Sequence, residues 1–113
     1  MASEIMKYDL VIVGGGPSGL SAAINFKQLC KKHNKDFTVC LIEKASEIGS
    51  HILSGAILEP RALNELIPEW SNDPDCPIKT KVSDEKLLYL NEKSAYEVPK
   101  LLIPSVMHNE NNF

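Results

Sequence analysis

The stretch that most constrains this chain is Gly14-Gly15-Gly16-Pro17-Ser18-Gly19, because it stands where a short apolar run stops and a helical pattern begins. Ahead of it, Tyr8-Asp9-Leu10-Val11-Ile12-Val13 is rich in β-branched residues. Near-continuous apolarity of that kind suits a strand covered on both faces, as in a parallel sheet. From Pro17 onward the period changes, and Leu20, Ala23, Ile24 and Lys27 fall on one helical side. Proline belongs in a first helical turn, where the N–H it lacks has no intrahelical partner anyway. Lys31, Lys32, His33 and Lys35 crowd the far end, where positive charge complements the helix dipole. This basic cluster reads as a solvated helix terminus rather than as a phosphate site. Thr38-Val39-Cys40-Leu41-Ile42 then forms a second strand pattern that closes at Glu43. Strand, helix and strand in such close succession predict a right-handed parallel crossover.

The glycine stretch fits G-x-G-x-x-G, and its glycines have separate physical tasks. Gly14 permits the tight turn out of the strand, Gly16 lets backbone approach a pyrophosphate, and Gly19 lets the helix pack closely on the strand. Gly15, Pro17 and Ser18 fill the remaining positions, with helix-start N–H groups facing phosphate oxygens. A lone glycine motif is weak evidence. Here it follows a strand, opens a helix, and is trailed by an acid at the end of the next strand, which is the context the motif requires. That acid, Glu43, stands roughly 20 residues beyond the last glycine, where a carboxylate accepts hydrogen bonds from ribose hydroxyls. It would repel a 2′-phosphate, which argues against NADP. The competing reading is a glycine-rich turn with an unrelated surface glutamate. Physics alone does not separate FAD from NAD, since both present the same ADP half.

Beyond Lys44 the pattern weakens. Residues 47–55 read as a loop, Pro60 to Trp70 as a short helix cut by Pro68, and Ser71 to Pro77 as a loop. Leu87–Leu90 and Ala95–Val98 predict a hairpin across Asn91-Glu92-Lys93-Ser94. Pro99 to Phe113 reads as irregular. With 113 residues, 43% hydrophobic and 24% charged, the chain has room for one modest core and no compositional reason for disorder. A net charge of −3 gives no basis for nucleic-acid binding. Met1 to Lys7 is too short and too acidic for a leader, and no run approaches the length of a membrane-spanning helix. Cys30, Cys40 and Cys76 lack paired spacing and read as reduced thiols.

The segment after the acid carries a further signal. Glu43-Lys44-Ala45-Ser46-Glu47-Ile48-Gly49 resembles the stretch after the second strand in the large FAD-binding oxidoreductase superfamily. His51-x-Leu53-Ser54-Gly55-Ala56 and Leu66-x-Pro68-x-Trp70 narrow the likeness, so that from about Tyr8 onward the chain resembles the electron transfer flavoprotein–ubiquinone oxidoreductase family. The resemblance implies an α/β fold: a Rossmann-like FAD-binding βαβ core at about 8–44, then a loop-rich extension over 45–113 with a short helix and a β-hairpin. It implies an FAD site at Gly14, Gly15, Gly16, Pro17, Ser18 and Gly19, with Glu43 on the ribose. Lys44 and the loop from Ser50 and His51 to Gly55 would line the rest.

The same resemblance implies an electron-transferring-flavoprotein dehydrogenase that takes electrons from reduced electron transfer flavoprotein and passes them through FAD and a 4Fe–4S cluster to ubiquinone. Such enzymes sit peripherally on the inner membrane, at its cytoplasmic face in bacteria or in the mitochondrion if a leader has been removed. In this chain Gly49 to Trp70 is the candidate contact, with Trp70 at the interface; an ordinary core-facing loop and helix is the equal alternative.

The family's four cluster cysteines and its quinone-binding segment have no counterpart here, and Asn111 stands where the family usually has glycine. The expectation is an amino-terminal, incomplete part of a FAD-binding domain, inactive and prone to aggregate alone, binding FAD weakly or not at all, and soluble if it stands alone. Two rivals remain: a non-catalytic fragment with partial nucleotide binding, and another FAD-superfamily oxidoreductase of geranylgeranyl-reductase-like or monooxygenase-like type. His33, His51 and His108 lack ligand spacing, so no metal site is expected. No residue is assigned a catalytic role, since in a flavoprotein the isoalloxazine carries the electrons.

Overall fold

In the computed structural model, residues 4–113 are described. Met1–Ser3, on which part of the leader reading falls, lie outside the described residues. The chain divides into two compact units, Met1–Ser54 and Gly55–Phe113.

In the first unit the apolar run ending at the glycines forms β1, Leu10–Val13, and the helical pattern forms α1, Pro17–Lys32. The second run forms β2, Val39–Ile42. The strands pair in parallel, with Leu10 opposite Val39 and Val13 opposite Ile42, as a βαβ crossover requires. Both strands begin later than their sequence patterns. The cause is a side-chain clasp: the Asp9 carboxylate accepts from the Thr38 N–H and from its hydroxyl, both at 2.7 Å. The Asp9 N–H in turn donates to the Thr38 hydroxyl oxygen at 3.1 Å. These bonds take over where ladder bonds would otherwise continue, and the Thr38 amide bond leads the causes that hold the Asp9 carboxyl below its usual value.

The helix ends on Asn34, whose φ of 52° lies in the left-handed region. Lys35 N–H donates to the Cys30 carbonyl at 2.9 Å and Asn34 N–H to the Lys31 carbonyl at 3.3 Å. This pair of bonds is a Schellman arrangement, with asparagine in the place glycine usually fills. Lys31 and Lys32 occupy the last turn, as the dipole argument expects. Below it, Cys30 is buried.

The two faces of β1 differ in exposure. Ile12 points toward α1, within 3.3 Å of where a side chain at Gly19 would begin. On the opposite face Val13 is 82% exposed. Along β1, apolar residues thus alternate between half-buried and exposed, where near-continuous apolarity would suit cover on both faces.

The second unit departs further from its sequence pattern. The expected helix from Pro60 to Trp70 contracts to α2, Arg61–Leu66. Pro68 pushes the preceding Ile67 out of helical geometry, to φ −136° and ψ 77°, and Trp70 opens its own 3-10 turn over Trp70–Asn72. Ser71 to Pro77 is otherwise loop, as expected. The hairpin forms as β3, Leu88–Leu90, and β4, Ala95–Glu97. Its outer pair is kept by Val98 N–H donating to Leu87 at 2.8 Å and its turn by Asn91 N–H donating to Ser94 at 2.9 Å.

The tail is less irregular than its composition suggested. It carries 3-10 turns at Lys100–Leu102 and Ser105–Met107. Leu58 and Phe113 then exchange two backbone bonds, at 2.6 and 2.9 Å. Phe113 meets Trp70 edge to face at 5.4 Å, while the Trp70 indole N–H donates to the Asn64 side-chain oxygen at 2.6 Å. Trp70 and Ile103 are the buried residues of this unit. Among the described residues, no helix is long and apolar enough to cross a membrane.

Candidate functional site

The site is built where β1 turns into α1. Gly14 takes φ +108°, a conformation that would strain any residue with a side chain. Its N–H donates to the Ile42 carbonyl at 2.7 Å, so the turn is tethered to the end of β2. Gly19 sets the other limit, since a Cβ there would lie 1.9 Å from the Gly14 carbonyl oxygen. No side chain other than hydrogen lets the first turn of α1 press against the glycine bend.

The face at Gly16 is different. It caps α1 in extended geometry with Pro17 following in the first turn, and a Cβ at Gly16 would meet nothing within 4 Å. No side chain caps the helix start, and the first turn contains no acid. The positive end of the helix dipole therefore opens beside bare backbone. That donor set, with open space in front of it, fits a pyrophosphate.

Glu43 lies directly against this turn. Its Oε2 accepts from the Gly15 N–H at 2.7 Å and its Oε1 from the Ala45 N–H at 2.9 Å. The Ala45 bond, then the Gly15 bond, holds the carboxyl below the usual glutamate range, and the charge of His51 adds to them. A carboxylate has about four lone-pair positions, so two remain for a ribose. Gly15 itself is buried, and a Cβ there would come within 3.1 Å of the Glu43 carboxylate and 3.2 Å of Ile48.

The other expected residues are distributed less tightly. Pro17 and Ser18 are exposed on the opening turn of α1. Lys44 is exposed beside Glu43. The Ser50 hydroxyl donates to the Glu47 carbonyl at 3.0 Å, within its own turn. His51 is exposed, and no hydrogen bond to Glu43 accompanies its small Coulombic influence there. Sequence reasoning missed Ala45, whose contribution is a backbone N–H, and Ile48, which packs against Gly15. Both lie in the 43–49 stretch that carries the family resemblance, which signalled the segment but not these two roles. Among the described residues no group of three His, Cys, Asp or Glu side chains could hold a metal ion.

Comparison with known proteins bears on the fold that carries this turn. The family described as NAD(P)-binding Rossmann-like domain matches residues 12–75. The mitochondrial electron transfer flavoprotein–ubiquinone oxidoreductase of Dictyostelium discoideum is 51% identical over 107 residues, 95% of this chain and 17% of that protein. The electron transfer flavoprotein–ubiquinone oxidoreductase of Pseudomonas aeruginosa is 47% identical over 114 residues, all of this chain and 20% of that protein. The mitochondrial one of Bos taurus is 49% identical over 106 residues, 93% of this chain and 17% of that protein. The chain thus spans a fifth or less of the length of these curated relatives. No solved structure matches it.

Proposed function

The chain belongs to the NAD(P)-binding Rossmann-like domain family, and from that premise we propose that its glycine turn holds the ADP half of FAD. The observation that carries the reading is the meeting of three features at one point: the bare Gly16 face, the uncapped start of α1, and the Glu43 carboxylate at the turn. The N–H groups of the first helical turn would take the pyrophosphate. Glu43 would take the ribose hydroxyls and reject a 2′-phosphate. Lys44, Ser50 and His51 are the nearest candidates to line the remainder. In this reading the βαβ core at about 8–44 is the nucleotide-binding part, and 45–113 its extension.

FAD is favoured over NAD by the relatives, whose names describe oxidoreductases acting between an electron transfer flavoprotein and ubiquinone. The role we propose for the chain is therefore the flavin-binding portion of such an electron-transfer enzyme. Bound FAD would supply the electron-carrying ring. This chain's residues would place it, hold its diphosphate and keep its sugar in register. Electron transfer flavoprotein and ubiquinone would be the partners of the whole enzyme, whose 4Fe–4S cluster would draw on residues outside this sequence. A peripheral place on the inner membrane belongs to the same proposal; of the Gly49 to Trp70 stretch, the exposed Ile52 and Leu53 are the candidate contact, whereas Trp70 is buried against Phe113 and takes the core-facing alternative.

The test is competitive binding of ADP, FAD and 2′,5′-ADP to the chain co-produced with the downstream region of a relative, followed by protection of the 14–19 amides. ADP and FAD should compete for one site, and 2′,5′-ADP should bind at least about ten-fold more weakly. Equal binding of 2′,5′-ADP, or ADP binding that leaves those amides unprotected, would overturn the assignment. Co-production with the downstream region of a relative should yield a flavin spectrum. ADP binding with no flavin in the combined sample would leave only a nucleotide-binding fragment.

A further inference from the structure

Glu43 has more than one neighbour at the turn, and its geometry assigns it a second task. We propose that Glu43 is a positioning residue that sets the glycine turn before any nucleotide arrives, by holding the Gly15 and Ala45 N–H groups on its two carboxylate oxygens. The inference rests on the reading of this turn as the ADP site and adds how that site is kept in shape. Of the two bonds, the 2.7 Å one joins the bend after β1 to the end of β2, and the 2.9 Å one closes the turn that follows β2. A carboxylate suits the task because it has acceptors on both oxygens and no donor.

The close fit around Gly15 supports the same role. That residue's Cα faces the Glu43 carboxylate and Ile48 at distances that leave no slack for a methyl group. Gly14, tethered to Ile42 at 2.7 Å, fixes the bend on its other side. Gly16, the next residue, has nothing packed on its open face. The turn is thus held at Gly14 and Gly15 and left bare at Gly16.

Glu43→Gln tests this, because an amide offers one acceptor and a donor, so Gly15 and Ala45 cannot both be satisfied. Without nucleotide, amide exchange at Gly15 or Ala45 should quicken roughly ten-fold. Exchange at Leu10, bonded to Thr38 at 3.1 Å, should stay unchanged and so report that the strand pair persists. Unchanged exchange at both amides would overturn the proposal. If Leu10 loses protection as well, Glu43→Asp, which keeps two acceptors on a shorter stem, replaces it: faster exchange at either amide again supports positioning, and unchanged exchange at both again overturns it.

A second arm uses 2′,3′-dideoxy-ADP, which has no ribose hydroxyls for Glu43 to bind. Removing a negative charge should by itself favour an anionic diphosphate. Positioning predicts the opposite sign, a roughly ten-fold loss of dideoxy-ADP affinity in Glu43→Gln. Equal or tighter binding would remove the positioning role and leave the ribose contact standing. Failure of both ADP and dideoxy-ADP to bind the unaltered chain co-produced with the downstream region would instead remove the ADP reading, and the exchange measurement would decide the positioning role alone.

Discussion

The two units are ordered by different kinds of bond. In Met1–Ser54, order follows rules written within each element: β-branched strands in parallel register, a helix begun by proline and ended by an asparagine Schellman cap, and glycines where backbone touches backbone. In Gly55–Phe113 the elements are short, and order comes from ties between segments far apart in sequence. Leu58 pairs with Phe113, Val82 N–H donates to Asn112 at 2.9 Å, and Glu85 Oε2 accepts from both the Asn109 N–H and its side-chain amide at 2.9 Å. Regular secondary structure is one way to satisfy backbone polar groups; a set of cross-links among loops is another.

The contrast breaks most visibly at Trp70. Trp70→Ala removes the buried indole, its bond to Asn64 and its edge-to-face contact with Phe113. It should cost about 3–5 kcal/mol, read as lost amide protection at Leu58 and Phe113. If those amides stay protected, the second unit is held by its backbone ties and has no need of a core. In the first unit Gly19→Ala should cost about 3 kcal/mol, because the added methyl meets the Gly14 carbonyl. Its readout is exchange at Leu10 and Gly14, and an unmoved value there would show that α1 is not seated on the bend.

Smaller effects sharpen the contrast. Asn34→Val places a β-branched residue at φ 52° and should lower the stability of the first unit by about 1–2 kcal/mol, with Asn34→Gly close to neutral, both measured by denaturant unfolding. The smallest effect is on acidification. Asn109 leads the groups holding the Glu85 carboxyl below its usual value, as Thr38 does for Asp9. A carboxyl lowered in the folded state contributes stability above its unfolded pKa, and that contribution fades as pH falls through the lowered one. The Asn109 and Thr38 amides should therefore keep their protection from neutral pH down to the ordinary carboxylate range and lose it below. Loss already near neutrality would assign those bonds another cause.

What could be read from the sequence follows the same division. Gly14, Gly19 and the apolar runs around them signal backbone geometry directly, so β1, α1, β2 and their parallel pairing were legible. The start of each strand was not, because Asp9 and Thr38 form a clasp that no period in the residues announces. Pro68 marked a helix end correctly but not how early α2 would stop, since the restraint on Ile67 acts before the proline itself. The tail read as irregular because its bonds join Asn109 to Glu85 and Phe113 to Leu58, and such partners cannot be inferred from local composition. At the candidate site, Glu43 was legible by its place after a strand; its hold on Gly15 and Ala45 needed coordinates.

The exchange of two backbone bonds between Leu58 and Phe113 closes most of the second unit into a ring. The entropy of closing such a ring grows only with the logarithm of its contour, about 0.6 kcal/mol for each doubling. Lengthening the hairpin turn or the loop after Trp70 should therefore be cheap, whereas Leu58→Pro deletes the Leu58 N–H donor and leaves the circuit closed by the Phe113 N–H alone.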